Sequence, residues 1–121
     1  MTTIDTDQYR ALIQVILPKE IFDYFDLLKL EVKEQGIHAY LDEENIVPAG
    51  YENEKLISKG FHSSITIQDF PIRDKPLFLH VRRRRWQVEP TGKVISRDWD
   101  TVAKGSRLTK DFATFLKGIL G

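Results

Sequence analysis

The sequence predicts an α+β fold with an antiparallel sheet of about four strands carrying a basic β-hairpin, two N-terminal helices and one C-terminal helix. Three observations predict it. Apolar residues recur at helical spacing as far as Gln35, the period switches to two after Gly36, and helical spacing returns beyond Thr109. The 121 residues read as a single domain: a helical part over 1–36, the sheet with its hairpin over 37–100, and a loop with the last helix over 101–121.

The first helix is expected over Asp5 to Leu17, with Tyr9, Leu12, Ile13, Ile16 and Leu17 on one stripe and Asp5 or Thr6 as its cap. Pro18 ends it and is suited to start a second. That second helix is expected to reach Gln35, presenting Ile21, Phe25, Leu28 and Val32, widened by Phe22 and Leu30, with Gly36 as its stop. Ile37, Ala39 and Leu41 then alternate with His38 and Tyr40, which reads as a strand. The residues from Asp42 to Gly60 read as mostly irregular. A second strand is expected over Ser63 to Phe70, followed by the turn Ile72-Arg73-Asp74-Lys75 between Pro71 and Pro76.

The third strand, Leu77 to Val88, reads as long and as mated to Lys93–Trp99 through Glu89-Pro90-Thr91-Gly92. Proline second and glycine fourth predict a type I turn leading into a bulged hairpin. Thr101 to Leu108 reads as a short polar link. The last helix is expected from Thr109, with Phe112, Phe115, Leu116, Ile119 and Leu120 on one face.

Composition excludes several classes of function. Cysteine is absent, which removes disulfides, thiol chemistry and cysteine-based zinc sites. No run of eighteen apolar residues is present, and the acidic start lacks a signal-peptide pattern, so a cytoplasmic protein is expected, nucleoid-associated when bound to DNA. The three histidines, His38, His62 and His80, lack metal-ligand spacing, and Asp42-Glu43-Glu44 reads as a solvated loop. Asp69, Asp98 and Asp100 have no spacing that singles out a metal site, and no nucleotide-binding glycine motif occurs. No enzyme activity, metal or cofactor is expected.

The net charge of zero hides a polarity. Residues 1–60 carry six Lys/Arg against twelve Asp/Glu, and residues 61–121 carry twelve against six. Such asymmetry points to nucleic-acid contact by the basic half, or to two halves that neutralise each other. Its focus is Arg82-Arg83-Arg84-Arg85 followed by Trp86. Four guanidiniums on an ordered element repel one another unless phosphates or acids lie close. Alternation puts Arg83 and Arg85 on one face, and Arg82, Arg84 and Trp86 on the other, of a ribbon suited to the major groove of double-stranded DNA. Lys93, Arg97, Lys104 and Arg107 extend the basic surface. Trp86 and Trp99 read as a cross-strand packing pair, with base stacking as the alternative. Lys104 to Lys110 precedes a helix start that could hold a phosphate; ordinary capping is the plainer reading.

The stretches Gly36–Asp42, Ile65–Arg73, Leu77–Trp86, Ile95–Trp99 and Ala103–Leu116 carry a resemblance. In them the chain resembles the N-terminal-region, first-reading-frame proteins of split-frame bacterial insertion-sequence transposases. The resemblance implies recognition or gripping of transposon-end DNA, or docking on a separately encoded transposase catalytic subunit, with a homo-oligomer also compatible. Catalysis is not implied for this chain. Strand transfer needs three carboxylates around two metals on a larger scaffold, and those belong to the partner.

Overall fold

The computed structural model describes residues 2–4, 13–105 and 110–120. It is a mixed α+β fold dominated by strand, with eight strands in two sheets among the described residues. The single antiparallel sheet of about four strands behind two N-terminal helices is therefore corrected. The strands are β1 (Thr2–Ile4), β2 (Phe25–Lys33), β3 (Gly36–Glu43), β4 (Leu56–Phe61), β5 (Ile65–Ile72), β6 (Lys75–Arg82), β7 (Arg84–Val88) and β8 (Val94–Ile95). The larger sheet has the order β1-β2-β3-β6-β5 and the smaller β4-β7-β8. Pairing is antiparallel throughout, save that β3 and β6 run parallel with Ile37 opposite Leu77.

The expected second helix is the largest correction. A 3-10 turn over Lys19–Asp23 buries Ile21, and the chain then enters β2. Phe25 and Leu27 point into the core at the strand period of two. A register shift between Leu27 and Lys29 resets the phase, so Leu30 also points inward while Leu28 stays 52% exposed. Gly36 is no helix stop. It opens β3 with φ +144°, and a Cβ there would lie 2.5 Å from the Pro76 carbonyl oxygen, so the β2–β3 turn abuts β6 only with glycine. Of the first helix, residues 13–16 are helical; Ile13 and the following Leu17 are buried but Ile16 is exposed, and residues 5–12, with the expected caps Asp5 and Thr6, lie outside the described residues.

One face of the larger sheet is the main core. Leu27, Ala39, Leu41, Ile67, Leu77, Leu79 and Val81 project from it onto helices α1 (Trp99–Gly105) and α2 (Lys110–Leu120). Helix α2 buries Phe112, Phe115, Leu116 and Ile119 as the spacing predicts, but Leu120 is exposed. Gly118 lets α2 approach β5, since a Cβ there would meet Ile67 at 2.9 Å. Trp99 begins α1 and stacks on Phe25 at 5.3 Å, so the described part of the expected polar link, 101–105, is helical and the expected tryptophan pair does not form. Trp86 instead centres a second core with Val88 and Ile95, joined by Tyr51 and Leu56.

The expected irregular stretch to Gly60 contains β4, and the expected long strand is two. It breaks at Arg83, where the chain passes from one sheet to the other and the Arg83 carbonyl accepts from the His62 amide at 2.8 Å. The two turns fall where expected, but the strand mated to β7 is only β8, Val94–Ile95, and not Lys93 to Trp99. Arg73 and Asp74 both take positive φ in a two-residue hairpin, and Gly92 does so at +72°.

Candidate nucleic-acid interface

The arginine run divides two and two. Arg82, the last residue of β6, makes a two-pronged ion pair with Asp42, opposite it on β3; its Nε donates to Asp42 Oδ1 at 2.7 Å. That fork and its hydrogen bonds hold the Arg82 guanidinium above its ordinary pKa. Arg84 turns the other way. Its Nε donates to the Glu43 carbonyl at 3.0 Å and its Nη1 to Ser58 Oγ at 2.5 Å, while its backbone N–H donates to Glu43 Oε1 at 2.9 Å. Both guanidiniums lie over the Phe61 ring, at 4.3 and 4.7 Å. Phosphate would have to displace these partners.

Arg83 and Arg85 have no carboxylate within 4.0 Å among the described residues. Arg85 alternates with the inward Arg84 and Trp86 and so belongs to the outer face of the small sheet. His62 lies on the same side and accepts or donates a 2.6 Å bond with Ser96 Oγ. Its imidazole is held below its ordinary pKa by burial, then by the charges of Arg83 and Arg85, so three cationic-capable groups share one patch. Arg83 Nε is a buried donor with no acceptor among the described residues. Orphaned donors of this kind are what a bound oxygen relieves.

Arg97 is 8% exposed and belongs to the interior. Its Nε donates to Glu43 Oε2 at 2.8 Å and its Nη2 to the Ile46 carbonyl at 2.5 Å. The rings of Tyr24, Trp86 and Trp99 surround its guanidinium at 5.1 to 5.8 Å. Burial pushes the Glu43 carboxyl above its usual range, opposed by the bonds from Arg97 and Arg84. Glu43 thus ties the end of β3 to the start of β7 and to the segment between β8 and α1. Asp42, its neighbour in the acidic run read as solvated, is also engaged, by Arg82.

Trp86 is 1% exposed and donates Nε1–H to Asn45 Oδ1 at 2.8 Å, so it has no face for a base. Lys93 is exposed at the end of the β7–β8 hairpin and Lys104 near the end of α1, apart from the arginines in sequence and element. Arg107, and the residues Ser106 to Thr109 of the suggested phosphate loop, lie outside the described residues.

Sequence reasoning missed the aromatic column on the other face of the larger sheet. Phe78, His38, His80 and Tyr40 stack in that order, centroids 4.9, 5.0 and 4.7 Å apart, and Lys29 caps Tyr40 at 4.5 Å. His38 Nδ1 and His80 Nε2 are 2.7 Å apart, with Thr66 Oγ1 on the far His80 nitrogen at 3.1 Å. The signal was in the alternation of His38 with Tyr40 and of Phe78 with His80, but the parallel pairing that joins them was not. Among the described residues no three His, Asp or Glu side chains converge as metal ligands. Comparison with protein-family models, curated proteins and solved structures finds no match.

Proposed function

We propose that this chain is a non-catalytic DNA-binding accessory domain of an insertion-sequence transposase, gripping double-stranded transposon-end DNA beside a separately encoded catalytic subunit. One observation carries the DNA reading: among the described residues Arg83 and Arg85 have no carboxylate partner and share a patch with His62, while their neighbours Arg82 and Arg84 are held by acids and backbone. The transposase context rests on the sequence resemblance. The grip is by phosphate contact, because guanidinium forks match phosphate oxygens and Arg83 has a donor left over. Arg82, Arg84, Arg97 and Trp86 then serve as framework, fixing the direction of that face. Lys93 and Lys104 add long-range attraction only.

The test is binding of the purified chain to the terminal inverted repeats of its own element and to unrelated duplex of equal length, across salt. A steep loss of affinity with salt and a preference for the ends support the reading. Salt-independent binding, or none, overturns it.

A docking role on the catalytic subunit is the second reading, favoured by one observation. Ile57, Gln87 and Val94 are register partners across the small sheet, and Ile57 and Val94 are 43% and 44% exposed beside the arginines. Apolar contact of that kind survives high salt. Association with the catalytic subunit in high salt without DNA, coupled with no end-specific binding, would make docking the primary role.

A further inference from the structure

The ladder between β4 and β7 is irregular beside the arginine run. Ser58 pairs with Trp86 and Phe61 with Arg84, so Lys59 and Gly60 together stand opposite the single residue Arg85. That count of two against one is a β-bulge, and Gly60 gives it a positive φ of +78° with nothing within 4 Å of where a Cβ would lie. Beyond Phe61 the next rung joins His62 to Arg83, whose carbonyl accepts from the His62 amide at 2.8 Å. The rung between faces inward, since the Arg84 guanidinium lies over the Phe61 ring and bonds Ser58 Oγ. Alternation therefore sets Lys59 with Arg85, and His62 with Arg83, on the outer face, in two rungs about 7 Å apart. Like charges directly across a ladder are destabilising. Among the described residues Arg82 and Arg97 each meet a carboxylate, but Lys59, Arg83 and Arg85 have none within 4.0 Å. Independently, the buried Arg83 Nε lacks an acceptor there.

We propose that Lys59, His62, Arg83 and Arg85 form a clasp for one phosphate group, and that His62 takes up a proton from solvent when the phosphate binds. The clasp rests on the DNA-binding reading for the source of its phosphate, not for its chemistry. Phosphate suits it because the oxygens diverge, so donors from two rungs can share one group. An anion there also removes the repulsion between Lys59 and Arg85 and supplies the acceptor that Arg83 lacks. His62 faces Arg83 across its own rung, Arg85 and Lys59 on the other, and Ser96 beyond β8, whose Oγ bonds its Nε2 at 2.6 Å. Burial, then the charges of Arg83 and Arg85, hold the imidazole below its ordinary 6.5, so it is mostly neutral at pH 7. A bound phosphate opposes those charges and favours the imidazolium. By linkage, phosphate affinity then rises as pH falls.

The experiment uses the full chain and two probes: a duplex with 5′-hydroxyl ends, whose phosphates are all diesters, and inorganic phosphate. Duplex affinity is measured across salt at pH 8, 7 and 6, where diesters do not titrate, and inorganic phosphate is followed at pH 7 by amide NMR. Lys59→Gln, at an exposed position, should lower the log–log salt slope by about 0.9. Affinity of the unaltered chain should rise about three- to tenfold from pH 8 to pH 6. His62→Gln should remove that rise, and His80→Gln, on the larger sheet, should keep it. Inorganic phosphate shifting the amides of 59–62 and 83–85, with no duplex bound, would support the clasp, assign it to a free phosphate group and sink the DNA reading instead. An unchanged slope in Lys59→Gln, or a rise that survives His62→Gln, overturns the clasp. Loss of duplex binding in Arg83→Ala/Arg85→Ala would in that case leave the DNA face standing without it.

Discussion

Arg97 and Glu43 form an ion pair of 2.8 Å with side chains 6% and 0% exposed, so one basic residue of the predicted DNA surface is spent inside the protein. A buried pair gains stability only while both members are present, since either left alone is an uncompensated charge in a poorly polarisable interior. Glu43→Ala is expected to destabilise the fold by about 3–5 kcal/mol. Glu43→Leu/Arg97→Met should cost less than the sum of the two single changes. Urea denaturation of the wild type, Glu43→Ala, Glu43→Leu, Arg97→Met and the double variant measures both, and an additive double mutant would remove the coupling.

Trp86 is enclosed by Val88, Ile95, Tyr51 and Leu56. Trp86→Ala is expected to cost about 3–5 kcal/mol by opening a cavity in the smaller core. Asn45→Ala leaves the indole N–H without its acceptor and should cost about 1–3 kcal/mol. A stable Trp86→Ala protein that no longer binds DNA would assign the ring to the interface instead.

The error over residues 18–35 has a physical cause. The expected helical stripe, Ile21, Phe25, Leu28 and Val32, steps by four, three and four, and the true inward set runs Ile21, Phe25, Leu27 and Leu30. A 3-10 turn followed by a strand with a shifted register imitates a helical period, because the irregularity at Leu28 inserts the odd residue that a uniform strand would forbid. Local pattern was sufficient where the element was regular. The buried face of α2, the Arg73-Asp74 turn and the Gly92 turn were legible for that reason. Alternation separated Arg82 and Arg84 from Arg83 and Arg85, but it could not say which pair met acids. Asp42 and Glu43 reach them through the parallel pairing of β3 with β6, a contact forty residues apart in sequence that no local period encodes.

Acid should weaken the fold before the carboxylates titrate. His80 is held below its ordinary 6.5 by burial, then by His38 and Lys33, with Glu31 on the same face opposing; Tyr40 and Thr66 also face it. His62 is lowered by burial, Arg83 and Arg85. Below pH 6.5 the unfolded chain therefore binds more protons than the folded one, so stability is full above that pH and falls as pH drops toward the folded values. Glu43, raised by burial, acts in the opposite sense, which makes the histidine variants the informative ones. The urea midpoint should fall between pH 7.5 and 5.5, and His80→Asn/His62→Asn should flatten that fall. An equal fall in the double variant would exonerate both imidazoles.

Gly36→Ala should be among the most costly small changes in the chain. The new Cβ would meet backbone, the Pro76 carbonyl oxygen at 2.5 Å, and a φ of +144° is strained for any L side chain. The loss should exceed about 1 kcal/mol, the usual scale for alanine at a site only glycine can adopt. Gly60→Ala supplies the control: it also has positive φ but meets nothing within 4 Å, so the difference between the two reports the clash with β6.

The two halves of the arginine run should separate by measurement. Each phosphate neutralised contributes about 0.9 to the log–log dependence of DNA affinity on salt, so Arg83→Ala/Arg85→Ala should lower the slope by roughly 1.8. Arg82→Ala/Arg84→Ala removes the fork on Asp42 and the bonds to the Glu43 carbonyl and Ser58. Its effect should fall on the denaturation midpoint, and the slope should change by well under about one unit. The Asp42 fork is partly exposed and contributes at most about 1 kcal/mol, so the larger share should follow Arg84. Anisotropy titrations of both double variants at four salt concentrations, beside their urea curves, decide it. If the even-numbered pair carried the slope and the odd-numbered pair only the stability, DNA would lie on the face with Asp42 and Phe61, and the outer face of the small sheet would lose its assignment.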